Sequence, residues 1–181
     1  ILYMLTILLM EKKDKEIYKG LSDTDALTGL FNRRAFQAAV DETLLKRIAG
    51  VFIFIDVDNF KDYNDKYGHA NGDLCLKHFA AAMKKCFPKD SILGRYGGDE
   101  FVVYIKNAAS DDAHRYMDEF QREISHLIMA GGEHVTVSAS AGGVAFIGEG
   151  EDFVSLCRSA DNMLYDVKRN GKGTFKIKYV N

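Results

Sequence analysis

The chain has 181 residues, of which 47% are apolar and only one is proline. This length is sufficient for one α/β domain with a single core, and the composition provides no proline-rich linker. The 24 basic and 26 acidic residues give a net charge of −2, which excludes the strongly basic field that draws nucleic acid to a protein surface. Three cysteines lie far apart among apolar neighbours and indicate buried free thiols in a reducing compartment. They are Cys75, Cys86 and Cys157.

The first ten residues are almost wholly apolar, and residues 11–16 are all charged. A membrane-spanning helix needs about 20 apolar residues, and the stretch lacks the basic start and small-residue cleavage site of a signal peptide. Three interpretations of this stretch stay open. It is the last part of a transmembrane helix, a helix or strand of a sensory module, or a helix that packs on the domain. Because the chain begins inside this pattern without Met, we expect a fragment. Residues 1–20 would lead in from a missing upstream module, and residues 21–181 would form the domain.

Two patterns open this domain. Asn32 is placed to cap a helix whose apolar residues recur at helical spacing over residues 36–47. Residues 51–58 then form an apolar run that ends in Asp56 and Asp58, which predicts a buried strand. Strand side chains alternate, so both carboxylates point to one face at the carboxyl end of the strand, where ligands bind in open α/β sheets. Carboxylates in this place either bind a metal ion or cap a helix.

The next polar pair, Asn64 and Asp73, is predicted to converge on one pocket. Asn64 would lie at the end of a short helix and Asp73 in the first turn of a long one. An aspartate accepts the N1 and N2 protons of guanine and an asparagine bonds the rest of the ring edge, whereas adenine offers neither of those protons. The alternative is structural, with Asp73 as a helix-start acid favoured by the macrodipole and Asn64 as a cap. The residues alone leave both interpretations open.

Two short apolar runs flank the dipeptide Gly97-Gly98 and predict a β-hairpin. Two consecutive carboxylates, Asp99 and Glu100, follow these glycines. Glycine lets a ligand approach the backbone closely, and adjacent carboxylates are hard ligands for a Mg²⁺ ion that also holds substrate phosphates. If the hairpin lies beside the strand that carries Asp56 and Asp58, Asp99 becomes a third candidate oxygen ligand. A solvated turn is the alternative.

The remaining elements complete the fold prediction. Residues 110–129 predict an amphipathic helix ended by Gly131-Gly132, and residues 135–147 predict a strand. Residues 153–169 predict a last helix with a basic cluster at its end, which usually complements the helix dipole. The order of elements predicts an α/β (α+β) fold, a ferredoxin-like βαββαβ palm with extra edge strands and helices. Such palms carry unrelated functions, so function must be argued from the site.

Residues 95–101, Arg-Tyr-Gly-Gly-Asp-Glu-Phe, are the signature of the GGDEF family, and the chain resembles a diguanylate cyclase from about Asp25 to Phe175. Four further blocks match the family in order and spacing: residues 25–34, 56–61, 64–74 and 160–173. The resemblance implies a palm like those of nucleotidyl cyclases and polymerases. It also implies a reaction that condenses two GTP into cyclic di-GMP and two pyrophosphates. It gives Asp25 and Arg33 a structural role, holding the start of the domain against its body.

The resemblance further implies a set of site residues. Two Mg²⁺ or Mn²⁺ ions would be held by Asp56, the carbonyl of Val57, Asp99 and Glu100. Asp99 or Glu100 would take the proton of the attacking hydroxyl. Guanine would be bound by Asn64, Asp73, Leu76 and Leu30, and the phosphates by Phe60, Lys61, Gly97, Gly98, Lys168 and Lys172. Lys172 stands where the family usually has arginine, so its phosphate contact lacks the bidentate fork.

One GTP per domain implies a homodimer for catalysis. The resemblance places such a domain in the cytoplasm, either free or tethered to the inner face of the membrane, with no nucleic-acid partner. A catalytically silent domain that binds GTP or cyclic di-GMP is the alternative, although such members typically lose a signature carboxylate and this chain keeps them all. A cyclase for a mixed guanine–adenine dinucleotide is disfavoured because the base-reading Asp73 is present.

Many family members carry an Arg-x-x-Asp inhibitory site for the product shortly before the signature. Pro88 and Ser91 occupy those two positions here. Proline has no donor, and a neutral serine lacks the carboxylate that accepts both guanine protons. We therefore expect no inhibitory product site and no tight product inhibition.

Overall fold

The computed structural model describes residues 23–125 and 135–179. Within these residues the chain forms one six-stranded sheet and five helices. The strands are β1 (Phe31–Asn32), β2 (Gly50–Val57), β3 (Ile92–Gly97), β4 (Glu100–Lys106), β5 (Ala139–Phe146) and β6 (Phe175–Tyr179). The helices are α1 (Arg33–Leu45), α2 (Phe60–Tyr67), α3 (His69–Cys86), α4 (Ser110–Ile124) and α5 (Phe153–Arg169).

The sheet has the strand order β1-β3-β4-β2-β5-β6. Its central strand, β2, pairs antiparallel with β4 on one side and with β5 on the other. Strands β1 and β6 pair in parallel with β3 and β5 and form the two edges. The four inner strands with α3 and α4 make the βαββαβ palm, and β1 and β6 are the additional edges. The predicted fold class is therefore confirmed.

Alternate side chains of β2 supply two separate cores, one on each face of the sheet. Phe52 and Phe54 pack with side chains of α1 and α5, such as Phe36. Ile53 and Ile55 pack with side chains of α3 and α4. Because both faces are covered by helices, β2 is apolar at successive positions and not only at alternate ones. Burial on both faces is the reason for the apolar run that predicted a buried strand.

Some predicted element boundaries are wrong. The strand predicted for residues 135–147 begins only at Ala139, because residues 135–138 form no ladder, although the Asp58 N–H donates to the Ser138 carbonyl at 2.9 Å just beyond the end of β2. Helix α2 continues to Tyr67, three residues beyond Asn64. The first turn of α3 is formed by residues before Asp73, because the helix starts after Gly68, whose φ is +82°. The predictions for residues 1–20 and for the end of helix 110–129 lie outside the described residues.

The cysteines are free thiols, as predicted from their surroundings, with Cys75 and Cys86 buried and Cys157 half-buried. Burial raises the pKa of each of the three thiols to about 11, so they are protonated and unreactive near neutral pH. Across residues 23–125 and 135–179, none of the helices combines the length and the apolar character needed to cross a membrane.

Candidate functional site

Three carboxylates lie near the carboxyl end of β2. Antiparallel pairing places Asp56 on β2 directly opposite Glu100 on β4. Asp99 precedes Glu100 in the turn between β3 and β4, and the Val57 N–H donates to the Asp99 carbonyl at 3.2 Å. The hairpin therefore lies beside β2, as the sequence required for a shared acidic site.

The charges of these carboxylates act on one another. Partial burial raises the pKa of Glu100, and the nearby charges of Asp56 and Asp99 raise it further. Partial burial also raises the pKa of Asp56, where the Lys168 ammonium opposes the effect and the carboxylates of Asp99 and Asp58 add to it. Both pKa values are thus raised chiefly by burial, with the neighbouring carboxylates adding to the effect, which is a pattern common at functional sites.

Lys168 reaches the same place from the last turn of α5. Its Nζ lies 2.9 Å from Asp56 Oδ2, and both side chains are partly shielded from solvent. The amphipathic pattern of α5 buries Leu164 and Val167, which leaves the following residue free to extend towards β2. The structure therefore brings Lys168 to the acidic site by a direct ion pair with a predicted metal ligand.

The donor set fits a divalent cation in chemistry and charge. Carboxylate oxygens are the ligands that Mg²⁺ prefers, and the mutual repulsion of Asp56, Asp99 and Glu100 is relieved by a bound cation. Over residues 23–125 and 135–179, no three acidic, histidine or cysteine side chains are already arranged around one point. The Lys168 ammonium supplies a positive charge next to Asp56.

The turn at residues 97–100, here called the acidic turn, is held by Arg95. Its Nε and Nη2 donate to the Gly98 carbonyl at 2.9 and 2.7 Å, where Gly98 has a φ of +43°. Its Nη1 donates to both carboxylate oxygens of Asp25, at 3.1 and 3.2 Å. Partial burial acts to raise the pKa of Asp25, but hydrogen bonds from Thr28 and from Arg95 lower it overall. One guanidinium thus joins the start of the domain to the acidic turn.

Asp25 and Arg33, the two residues with a predicted structural role, act through different partners. The arginine that pairs with Asp25 is Arg95, whereas the Arg33 guanidinium stacks over the ring of Tyr96 at 4.3 Å. Tyr96 in turn meets Phe54 edge to face, with ring centroids 4.8 Å apart. Arg33 therefore stabilises the strand before the acidic turn from the opposite face of the sheet. This pairing could be found only from the fold, because contact between a cation and an aromatic ring requires no particular spacing in the sequence.

The predicted guanine-binding residues lie where α2 packs on α3. Asn64 contacts Gly72, the residue before Asp73, and a Cβ at position 72 would collide with Asn64 Oδ1. Asn64 Oδ1 is buried and has no hydrogen-bond partner among the described residues, whereas Asp73 is exposed. Glycine at position 72 is thus required by close packing, a constraint that the sequence analysis missed although Gly72 stood in the matched block.

The two predicted leucines of this subsite have different surroundings from the polar pair. Leu30 is 3% exposed and Leu76 is 2% exposed, and both belong to the core on the α3 face of the sheet. In this conformation they offer little surface to a ligand. Asn64 and Asp73 are the two of these four residues with polar side chains, and their guanine-binding role stays a prediction.

The predicted phosphate-binding residues surround the end of β2. Phe60 and Lys61 begin α2, and the two glycines of the acidic turn are exposed. On the other side, residues 170–173, here called the basic loop, connect α5 to β6. Lys172 in this loop donates from Nζ to Asn59 Oδ1 at 2.7 Å. Two lysines, Lys168 and Lys172, therefore face the end of β2 from the side of the sheet that carries α5 and β6.

Asp58 does not join the acidic site as a free ligand. Its carboxylate accepts hydrogen bonds from Ser138 Oγ at 2.7 Å, Ser140 Oγ at 2.6 Å and the Gly173 N–H at 3.0 Å. Ser140 pairs directly with Asp56 in the sheet and also bonds the Asp58 carboxylate, so Asp58 keeps to the face of Asp56 as the alternation predicted, but both of its carboxylate oxygens are occupied by these donors. Asp58, one of the candidate oxygen ligands, is thus committed to hydrogen bonds within the protein.

Pro88 and Ser91 lie in the connection between α3 and β3. The Ser91 N–H donates to the Pro88 carbonyl at 3.0 Å, which closes a tight turn. The Ser91 hydroxyl is buried and has no hydrogen-bond partner among residues 23–125 and 135–179. Neither side chain brings a charge to this turn.

Comparisons with known proteins agree with these observations. The family model described as diguanylate cyclase, GGDEF domain, matches residues 22–174. The solved GGDEF domain of DgcB from Caulobacter crescentus, in complex with c-di-GMP, superposes with a TM-score of 0.79 at 27% identity. That match covers 87% of this chain and 96% of the other.

Two curated relatives show the same similarity in sequence. The chain is 32% identical over 170 residues to the cyclic di-GMP phosphodiesterase PdeR of Escherichia coli (strain K12), covering 92% of this chain and 26% of that protein. It is 34% identical over 164 residues to a diguanylate cyclase of Vibrio cholerae serotype O1, covering 87% of this chain and 50% of that protein. The chain thus spans half or less of the length of these relatives. It belongs to the GGDEF-domain family of diguanylate cyclases.

Proposed function

We propose that the chain is the catalytic domain of a diguanylate cyclase, which condenses two GTP molecules into cyclic di-GMP and two pyrophosphates. The observation that carries this proposal is the meeting of Asp56, Asp99 and Glu100 beside Lys168 at the end of β2. Carboxylates that repel one another next to a lysine suit a substrate that brings both cations and phosphates. The exposed glycines of the acidic turn leave room for that substrate.

Asp56, the Val57 carbonyl, Asp99 and Glu100 would hold two divalent ions, Mg²⁺ or Mn²⁺. Such ions lower the pKa of an attacking hydroxyl and neutralise charge on a leaving pyrophosphate. Glu100 has a raised pKa because it is partly buried beside two other carboxylates, which favours it as the group that takes the proton of the 3′-hydroxyl. Asp99 is the second candidate for that proton.

Lys168 and Lys172 would bind the substrate phosphates, together with the backbone at Phe60 and the side chain of Lys61. Both lysines bond to groups of the site itself, Lys168 to Asp56 and Lys172 to Asn59. Asn64 and Asp73 would read the guanine edge from the junction of α2 and α3, where the Asn64 amide oxygen has no protein partner among the described residues. Leu30 and Leu76 would back this subsite.

Each domain would hold one GTP, so the two attacking hydroxyls would face each other's α-phosphates across a two-fold dimer. A reaction that needs two domains makes the rate rise more steeply than linearly with protein concentration. An upstream module would then control activity by bringing two domains together. We place the domain in the cytoplasm, where its proposed substrate GTP is found.

The proposed function is tested by incubating the protein with GTP and Mg²⁺ and identifying the product by mass spectrometry over a range of protein concentrations. The expected product is cyclic di-GMP, formed at a specific rate that rises with protein concentration. Unchanged GTP would contradict the cyclase activity. A rate strictly proportional to protein concentration, with no dimer in sedimentation, would contradict the need for a dimer.

A second candidate is a silent domain that binds GTP or cyclic di-GMP without turnover. The similarity to PdeR, a relative named as a cyclic di-GMP phosphodiesterase, favours it. Against it, Asp56, Asp99 and Glu100 are all retained and lie together. Binding of GTP with no product in the same incubation would favour this candidate over the cyclase.

A further inference from the structure

We propose that Asp58 is a positioning residue that holds the basic loop, and with it Lys172, in place to bind substrate phosphates. This inference rests on the proposed function, in which Lys172 contacts those phosphates. It gives a role to a carboxylate that lies two residues from a predicted metal ligand and is not available to a metal.

Asp58 joins three separate segments of the chain. It is 9% exposed and Ser140 is fully buried. Oδ1 accepts from Ser140 Oγ, and Oδ2 accepts from Ser138 Oγ and from the Gly173 N–H. The carboxylate thereby connects the end of β2, the start of β5 and the basic loop. A buried carboxylate is tolerated only with such partners, and here one of them is the backbone of the residue after Lys172.

The backbone next to Asp58 explains why the basic loop needs an anchor. Lys172 has a φ of +60°, a left-handed conformation that is unfavourable for lysine and persists only where the surroundings hold it. Asn59 has a φ of +55°, which asparagine tolerates better. Asn59 follows Asp58 directly, and Gly173 follows Lys172. The Lys172 ammonium donates to Asn59 Oδ1 at 2.7 Å, so Lys172 is held both through this bond and through the Gly173 N–H that Asp58 accepts.

Replacing this carboxylate should loosen the basic loop without removing any charge that touches substrate. Asp58→Asn keeps the size of the side chain, but its single amide oxygen cannot accept from all three donors. The Gly173 N–H then keeps only its longer bond to Ser140 Oγ at 3.3 Å, or a serine hydroxyl must turn to accept from the new amide. We expect Asp58→Asn to weaken the binding of a triphosphate by about tenfold, a loss typical for one hydrogen bond to a charged group. Binding of the guanosine part should not change.

The test measures binding with 3′-deoxy-GTP, which lacks the attacking hydroxyl, and with guanosine, which lacks the phosphates. Both are titrated by NMR with Mg²⁺ into the wild type, Asp58→Asn, Lys172→Ala and the double variant. If Asp58 acts through Lys172, the double variant binds 3′-deoxy-GTP no more weakly than Lys172→Ala alone. Additive losses, or an equal loss for guanosine, would overturn the positioning role.

The matched control is Tyr104→Phe, which removes the hydroxyl that donates to the Ile48 carbonyl at 2.6 Å. This variant also loses an interior hydrogen bond, but at the opposite end of β2, and it should bind 3′-deoxy-GTP as the wild type does. If Asp58→Asn does not fold, Ser138→Ala removes one of the carboxylate's other donors and should give a smaller loss of the same kind. Wild-type affinity in Ser138→Ala would then count against the inference.

Amide hydrogen exchange separates this inference from the proposed function. In the free protein the Gly173 N–H should exchange faster in Asp58→Asn than in the wild type. If the wild type binds no 3′-deoxy-GTP, the proposed function fails, but faster Gly173 exchange still shows that Asp58 holds the loop. An unchanged exchange rate at Gly173 would overturn the positioning role, whatever the result of the nucleotide-binding experiments.

Discussion

The acidic turn and the basic loop approach the end of β2 from different elements, and each is held by one charged side chain of the opposite sign. Arg95 donates to the Gly98 carbonyl in the turn. Asp58 accepts from the Gly173 N–H in the loop. Each anchor bonds a backbone group. The side chains proposed to contact substrate are therefore not bonded to the anchors.

The two anchors differ in how far along the chain they lie from the backbone group that they bond. Arg95 bonds a carbonyl three residues away within its own hairpin, whereas Asp58 bonds an amide 115 residues away. The acidic turn is therefore defined largely by local sequence, while the basic loop takes its position only when β2, β5 and α5 have packed. Functional carboxylates can thus be found from a short motif, but the lysines that complete the site depend on the whole fold.

Removing a carboxylate from the acidic turn should have the largest effect. Asp99→Ala takes away a proposed metal ligand at a turn and no core volume, so we expect activity to fall by about a thousandfold or more, since a catalytic metal contributes several kcal/mol. The fold should remain intact by circular dichroism. Asp118→Ala, on the exposed side of α4, is the control. Turnover of GTP within about tenfold of the wild type would contradict the metal assignment.

Removing the anchor of the acidic turn should have the next largest effect. Arg95→Ala deletes its bonds to Gly98 and Asp25, and hydrogen bonds to charged groups contribute about 1.5–3 kcal/mol. We expect activity to fall by about a hundredfold and the thermal midpoint to drop, with Arg95→Lys in between because lysine lacks the planar fork. Activity and thermal unfolding are measured together. Wild-type activity in Arg95→Ala would show that the turn holds its shape without its anchor.

The base-reading pair lies outside both regions and provides a contrast. Asp73→Ala should weaken GTP binding by about 1.5–3 kcal/mol, because the guanine N1–H and N2 amine lose a charged acceptor. Unlike Asp58→Asn, it should weaken guanosine binding as well. Asp65→Ala, an exposed carboxylate on α2, is the control. Equal GTP affinities of Asp73→Ala and wild type in calorimetry would refute the assignment.

A smaller effect should appear in the stability of the ligand-free protein. The pKa of Glu100 is raised by partial burial and by Asp56 and Asp99. Above that pKa the ionised carboxylate destabilises the fold, and the destabilisation disappears as the pH falls through the folded-state pKa. Glu100→Gln should therefore unfold at a higher temperature than the wild type at neutral pH, with a difference that shrinks on acidification. A difference independent of pH would contradict the repulsion, and Glu119→Gln is the exposed control.

The smallest expected effect concerns inhibition by the product. The turn from Pro88 to Ser91 carries neither the arginine nor the aspartate of an inhibitory site. Adding cyclic di-GMP should therefore cause only weak inhibition, competitive with GTP at the active site. Tight inhibition that is non-competitive with GTP would show that another surface binds the product.

Much of the fold was predictable because its signals are local. The apolar run before Asp56, the Gly97-Gly98 turn and the Asn32 cap, which accepts from the Ala35 N–H at 3.0 Å, each depend on residues close in sequence. Strand alternation and helix periodicity require no knowledge of the partner element. The order of these elements was sufficient to predict the palm, and with it the meeting of the β2 end and the acidic turn.

Sequence alone determined which residue types stand at the end of β2 and in the acidic turn. Tertiary structure decided which of them bond to one another. Asp25 pairs with Arg95, and Asp58 is committed to two serines and the Gly173 amide. Both outcomes depend on contacts between segments far apart in the chain. A hydrogen bond forms only within about 3 Å and in a suitable direction, and no spacing along the sequence encodes that geometry between segments that meet only in the folded protein.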